Sequence, residues 1–178
     1  SCKLTASRSY KVIFCNRLLM YSPKDYSRLL GTPGFSDTLL NNHFKLYQGY
    51  VKNTNTLIEK LRSGTYASGT PEYNELTRRF GWEWNGMRLH ELYFGNMKNG
   101  GAPLQDGALK NLMIQTCGSF ENWQKDFLNI GSMRGIGWVI LVLDTERRMA
   151  FNVWVNEHDQ GHLAGAIPLL VMDVFEHA

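Results

Sequence analysis

Ala166-Ile-Pro-Leu-Leu-Val-Met-Asp-Val-Phe-Glu-His-Ala178 is the stretch from which the rest of the chain is read. Ile167 to Met172 is a short, almost unbroken apolar run, the pattern of a strand buried on both faces. Asp173 ends the run and His177 follows four residues later. A carboxylate at the end of a buried strand needs a partner, because an unpaired buried charge is very costly. Four residues is about one helical turn, so a helix beginning here brings Asp173 and His177 to one point. An Asp and a His converging beside an apolar wall make half of a metal site. A capping Asp followed by a surface His is the alternative, and this stretch alone leaves both open.

Asp173-Val-Phe-Glu-His-Ala178 resembles the Asp-Val-Trp-Glu-His-Ala signature of the iron/manganese superoxide dismutase family, with Phe175 in place of the Trp. The resemblance implies that Asp173 and His177 are two of four protein ligands. It also implies that the other two are histidines on two long helices nearer the N-terminus.

Both helices are visible in the pattern. Pro23, Gly31, Pro33 and Gly34 mark a loop, and Ser36 is a good N-cap with Asp37 in the first turn. A helix is expected over residues 37–62, with Leu40, His43, Tyr47, Tyr50, Val51 and Leu57 on one apolar stripe. A lone His on such a stripe is more often a satisfied core histidine than a ligand. The segment Asn42 to Asn55 is similar to the family's first helix, which makes His43 a ligand and Tyr50 the gateway tyrosine. The interval from His43 to Tyr50 is one residue shorter than in many members, and it fits a regular helix without a bulge. Tyr47 stands where many members carry a second His. Thr70-Pro71 starts the next helix with an N-cap and a Pro at the first position, and the helix is expected to reach about Met97. Leu89-His-Glu-Leu-Tyr-Phe-Gly95 resembles the second-ligand helix, with His90 at the matching position. Glu91 beside it reads as solvated.

Two shorter helices are expected over about Leu104–Thr116 and Ser119–Ile130, with Phe120, Trp123, Phe127 and Leu128 as core. The period then changes. Gly137 to Asp144 and Met149 to Asn156 read as a hairpin around Thr145-Glu-Arg-Arg148, and Ile167 onward is the third strand. Helices first and a small sheet later is an α+β pattern. It matches the family's architecture: an N-terminal helical hairpin, residues 20–100, and a C-terminal α/β domain with a three-stranded antiparallel sheet, residues 101–178.

His43, His90, Asp173 and His177 form a set of three imidazoles and one carboxylate that suits a first-row ion, iron or manganese, and zinc is not excluded by ligand type. What the resemblance implies is one such ion per subunit and disproportionation of superoxide to oxygen and hydrogen peroxide. Protons must then be relayed, and in the family a long polar side chain does this from one of two places. One is four residues before the second ligand, where this chain has Gly86. The other is the loop before the last strand, where it has His158. His158 is therefore expected to meet metal-bound solvent, with Tyr50 behind it; a solvated loop holding Glu157, His158, Asp159 and His162 is the alternative. Trp138 and Phe175 are expected to line the cavity. By resemblance Glu176 pairs with His177 of a second subunit, which implies a homodimer or a higher assembly; an ordinary exposed Glu is the alternative.

Composition sets outer bounds. The 178 residues, 43% hydrophobic and 20% charged, suffice for one sizeable core or two small subdomains. No apolar run approaches the ~18 residues of a membrane span. A net charge of +3 argues against nucleic acid and suits weak steering of a small anion. Cys2, Cys15 and Cys117 suggest neither zinc nor a disulfide framework, so a cytoplasmic location is expected. Residues 1–19 are basic and Ser-rich, which fits either an organellar targeting segment or an extension upstream of Met20. Family members continue beyond the Glu-His-Ala element with helices that cover the sheet, and the expected fold lacks them. On that account an inactive metal-binding or interaction protein on the same fold is the alternative function.

Overall fold

A computed structural model describes residues 20–178; the expectation for residues 1–19 lies outside the described residues. Two antiparallel 26-residue helices, α1 (Asp37–Arg62) and α2 (Pro71–Asn96), form the N-terminal hairpin. Both start as the side chains dictate. Ser36 Oγ accepts from the backbone N–H of Leu39 at 3.1 Å, and Thr70 Oγ1 accepts from that of Tyr73 at 3.3 Å. Such caps contribute about 1 kcal/mol each. The last turn of α2 holds no basic residue. Arg28 supplies that charge from the preceding segment, donating to the carbonyl oxygens of Phe94 and Met97 at 3.0 Å each.

Helices α3 (Ala108–Cys117) and α4 (Phe120–Gly131) lead into the sheet. Strands β1 (Gly137–Asp144), β2 (Met149–Asn156) and β3 (Ile167–Asp173) pair antiparallel in the order β2-β1-β3. The α+β expectation therefore holds, with β1 in the centre. On one face of β1, Trp138, Ile140 and Val142 pack with Met87, Phe94, Tyr47 and Val51 of the hairpin. On the other, Val139 and Leu141 pack with Met113, Trp123 and Phe127 of α3 and α4. This double cover is why β1 is an unbroken apolar run. The same was expected of β3, but β3 is an edge strand and mostly part-exposed, with Ile167 at 49%. Its register slips between Leu141 and Val142 of β1, which face Leu170 and Pro168. An edge position beside a bulge is where a Pro, lacking an N–H, costs least.

Three further expectations change. α3 begins at Ala108 rather than Leu104, because the Gly- and Pro-containing stretch before it stays non-helical. Leu128 is 55% exposed and outside the core, since α4 turns only Trp123 and Phe127 fully inward. No helix follows Asp173; Phe175 to His177 form a turn, closed by the N–H of Ala178 donating to the Phe175 carbonyl at 3.1 Å. Among the described residues no helix is long and apolar enough to cross a membrane.

Candidate metal centre

The end of β3 is held against the end of α2 by one side chain. Asn96 Oδ1 accepts from the N–H of Val171 at 3.0 Å. Asp173 follows two residues later, paired with Trp138 of the central strand. Asp173 Oδ1 accepts from the N–H of Phe175 at 2.9 Å, which makes the chain turn and swings His177 back over the strand end. Convergence of Asp173 and His177 thus comes from an Asx-type turn instead of a helical one.

Oδ2 of Asp173 faces three imidazoles. It lies 3.1 Å from His43 Nε2, 3.8 Å from His90 Nε2 and 3.8 Å from His177 Nε2. Among the described residues these four side chains form the one candidate metal cluster, with their ligand atoms all within 4.8 Å of each other. His43, His90 and Asp173 are buried and His177 is half-buried. The His43 ring stands nearly perpendicular to those of His90 and His177, with centroids 5.0 Å away in both cases.

Four observations test whether these residues fit a metal. His90 Nδ1 donates to the Gly86 carbonyl at 2.6 Å, which leaves the Nε2 lone pair pointing at the cluster. That nitrogen and His177 Nε2 are buried without a hydrogen-bond partner among the described residues. Burial also pushes the His90 imidazolium down to a pKa of about 3, so the ring is neutral, as a ligand must be. Donors about 2.1 Å from an ion stand roughly 3 Å apart at right angles and about 4.2 Å apart across it. The spacings from Asp173 fall in that range, and the set fits.

The expected cavity residues surround this centre. Trp138 is fully buried and stands edge-on to His90 at 5.0 Å. Tyr50 stacks on His90 at 5.1 Å, and Phe175 lies 5.4 Å from His177. Glu176 is 79% exposed, with Oε1 3.8 Å from His177 Nδ1 of its own chain. His158 is fully buried, although it lies in a loop. Trp138 Nε1–H donates to its Nδ1 at 3.0 Å. The neutral ring then carries its proton on Nε2, which donates to Tyr50 Oη at 2.8 Å. Burial lowers the His158 pKa to about 4 and raises that of the Tyr50 phenol to about 12, helped there by the charges of Glu83 and Asp173. His162 is exposed, with Nε2 2.9 Å from the His158 carbonyl oxygen.

Glu91 is the main correction. It is buried, not solvated, and its carboxylate accepts from Tyr47 Oη at 3.1 Å, Lys24 Nζ at 2.9 Å and Arg88 Nη1 at 2.6 Å. Burial alone would raise its pKa, but those three donors outweigh burial and hold it below the usual carboxylate range. Tyr47, one turn after His43, and Glu91, next to His90, thus lock the two helices together beside the centre. Glu83 was also missed; it is buried and accepts from Arg79 Nε at 2.8 Å. Its spacing of seven residues from His90 places both on one helix face, a signal the sequence did carry.

Residues 105–178 match the family described as iron/manganese superoxide dismutases, C-terminal domain. The chain is 34% identical over 161 residues to manganese superoxide dismutase 1 of Halobacterium salinarum, covering 88% of this chain and 77% of the relative. It is 34% identical over 164 residues to the iron superoxide dismutase of Aquifex pyrophilus, covering 88% and 76%. With the iron superoxide dismutase of Saccharolobus solfataricus it shares 33% identity over 155 residues, 82% and 72% of the two chains. Relatives of both metal types align over most of the chain, which belongs to the iron/manganese superoxide dismutase family.

Proposed function

We propose that the protein is a superoxide dismutase whose metal, iron or manganese, is held by His43, His90, Asp173 and His177. The observation that carries this reading is the cluster itself: one carboxylate oxygen within 3.8 Å of three imidazole nitrogens. Two of those nitrogens are buried and without partners among the described residues. An ion held by these four residues would supply a one-electron couple between its +3 and +2 states, the chemistry needed to convert two superoxides and two protons to dioxygen and hydrogen peroxide.

The chain's own residues orient the ligands and deliver protons to the peroxide. Gly86 fixes the His90 tautomer through its carbonyl, and the Phe175 N–H fixes the carboxylate of Asp173. Both ring nitrogens of His158 are engaged, by Trp138 and by Tyr50. The hydrogen left to give is therefore that of the Tyr50 hydroxyl, which remains protonated at neutral pH. We assign the hand-off to Tyr50, with His158 Nε2–H behind it. This reverses the order expected from the loop position of His158 alone. Trp138 and Phe175 exclude bulk water from the cluster.

A homodimer is part of the same reading. Its support is the family resemblance and the exposure of Glu176 beside His177; sedimentation of the native chain and of Glu176→Ala tests it. The function is tested by superoxide consumption after separate loading with iron and with manganese, normalised to bound metal. Fast turnover with either ion, lost together with bound metal in His43→Ala, upholds it. Bound metal without turnover in both forms overturns it.

A further inference from the structure

Among the described residues, two non-glycine residues have a positive φ, Arg148 at 53° and Glu157 at 50°. Arg148 lies in the turn between β1 and β2, where such a backbone is ordinary. Glu157 directly precedes His158. The left-handed region disfavours any residue with a Cβ, and it persists only where the surroundings hold it. The backbone is held by the Glu157 N–H, which donates to the Ile136 carbonyl at 2.9 Å, and by the Asn156–Gln160 bridge. The side chain makes a separate contact: Oε2 accepts from Trp82 Nε1 of α2 at 3.0 Å. The Trp82 ring lies 4.4 Å from His158 and 5.7 Å from Tyr50. The Arg79 guanidinium covers that ring at 4.1 Å and is itself anchored by Glu83.

We propose that Glu157 and Trp82 are positioning residues, whose hydrogen bond ties the loop to α2 and aims His158 Nε2 at Tyr50. The loop is already closed by backbone bonds, so the indole–carboxylate contact is not needed to form it. What the contact adds is a fixed wall beside the imidazole, from the helix that also carries His90. The inference rests on the reading of Tyr50 and His158 as the proton-handling pair.

Three variants test it: Trp82→Phe, which keeps the ring and deletes the donor; Glu157→Gly, which relieves the backbone and deletes the acceptor; and Glu157→Gln, which keeps an acceptor. Nitrogen-15 spectra of histidine-labelled protein loaded with zinc report the His158 tautomer. Wild type is expected to show one species, protonated on Nε2 with slow hydrogen exchange. Trp82→Phe and Glu157→Gly should show mixed tautomers and faster exchange. Their turnover with iron or manganese should drop about tenfold at unchanged metal content, near the lower end of outer-shell effects. The thermal midpoint of Glu157→Gly should equal or exceed that of wild type, and Glu157→Gln should restore both spectrum and turnover. The proposal is overturned if Trp82→Phe and Glu157→Gly keep the wild-type spectrum and rate. It is also overturned if turnover falls only in step with bound metal or midpoint. A wild-type chain without turnover would sink the functional reading alone, because the histidine spectrum still decides on Glu157 and Trp82.

Discussion

A Cβ on Gly86 would stand 2.6 Å from Cδ1 of the Tyr50 ring, so the bare backbone at 86 is what lets that ring lie over His90. Ala is favoured over Gly inside a helix by about 1 kcal/mol. Overpacking a tight contact costs about 1–3 kcal/mol. Gly86→Ala is therefore expected to lower stability despite the better propensity, and to slow turnover by displacing Tyr50 from His158. Denaturant unfolding and superoxide consumption check the two effects; a more stable, fully active variant would show that the ring yields freely.

Tyr50→Phe removes the hydroxyl and leaves the ring on His90. Turnover should fall roughly tenfold or more, the scale of outer-shell substitutions at a metal site, while bound metal stays at the wild-type level. His158→Ala should act in the same direction, again with metal retained. Because the two groups form one hydrogen bond, the double variant should be little slower than the worse single one. Multiplying losses in the double variant would mean that they act independently. Loss of metal from His158→Ala would mean that His158 belongs with the ligands.

Asp173 and His177 were legible as half of a site from the residues. His43 and His90 became ligand candidates through the family resemblance, because a lone His on an apolar stripe is by itself more often core. His43 and His90 interrupt hydrophobic stripes, and Asp173 ends an apolar strand. The turn that brings in His177 was less legible, since a spacing of four residues suits a helical turn and the observed turn alike. Glu91 was misread for a physical reason. A carboxylate is solvated by default, and its rescue by Lys24, Tyr47 and Arg88 draws on segments far apart in sequence. The edge position of β3 was hidden likewise, because an apolar run does not say which strand lies in the middle of a sheet.

Glu91→Ala leaves the Tyr47 hydroxyl buried without its acceptor and frees Lys24 and Arg88. Leaving a buried polar group unsatisfied costs about 1–3 kcal/mol. The two cations are part-exposed and regain water, so the loss should stay within that range. Glu91→Gln, which still offers Tyr47 an oxygen, should lose less. Urea unfolding of the metal-free proteins measures both, and equal stability of Glu91→Ala and wild type would show that the carboxylate is not the clamp between the helices.

The metal-free protein should lose stability as pH falls from 6.5 toward 5. Burial holds the His158 pKa near 4 and the His90 pKa near 3, against an ordinary 6.5. The sign follows from proton counting. Above 6.5 both rings are neutral in the folded and unfolded chain, and pH has no leverage through them. Below it the unfolded chain binds protons that the folded chain refuses, so unfolding gains, by up to about 1.4 kcal/mol per pH unit for each ring. The loss levels off only below the folded values. Glu91 adds little in this window, because its own pKa is lowered from 4.5 and it is mostly ionised in both states. His158→Gln removes one of the two rings and should flatten the slope of unfolding free energy between pH 6.5 and 5. A slope unchanged by that substitution would show that His158 takes up its proton in the folded protein, which the donor Trp138 Nε1–H aimed at its Nδ1 argues against.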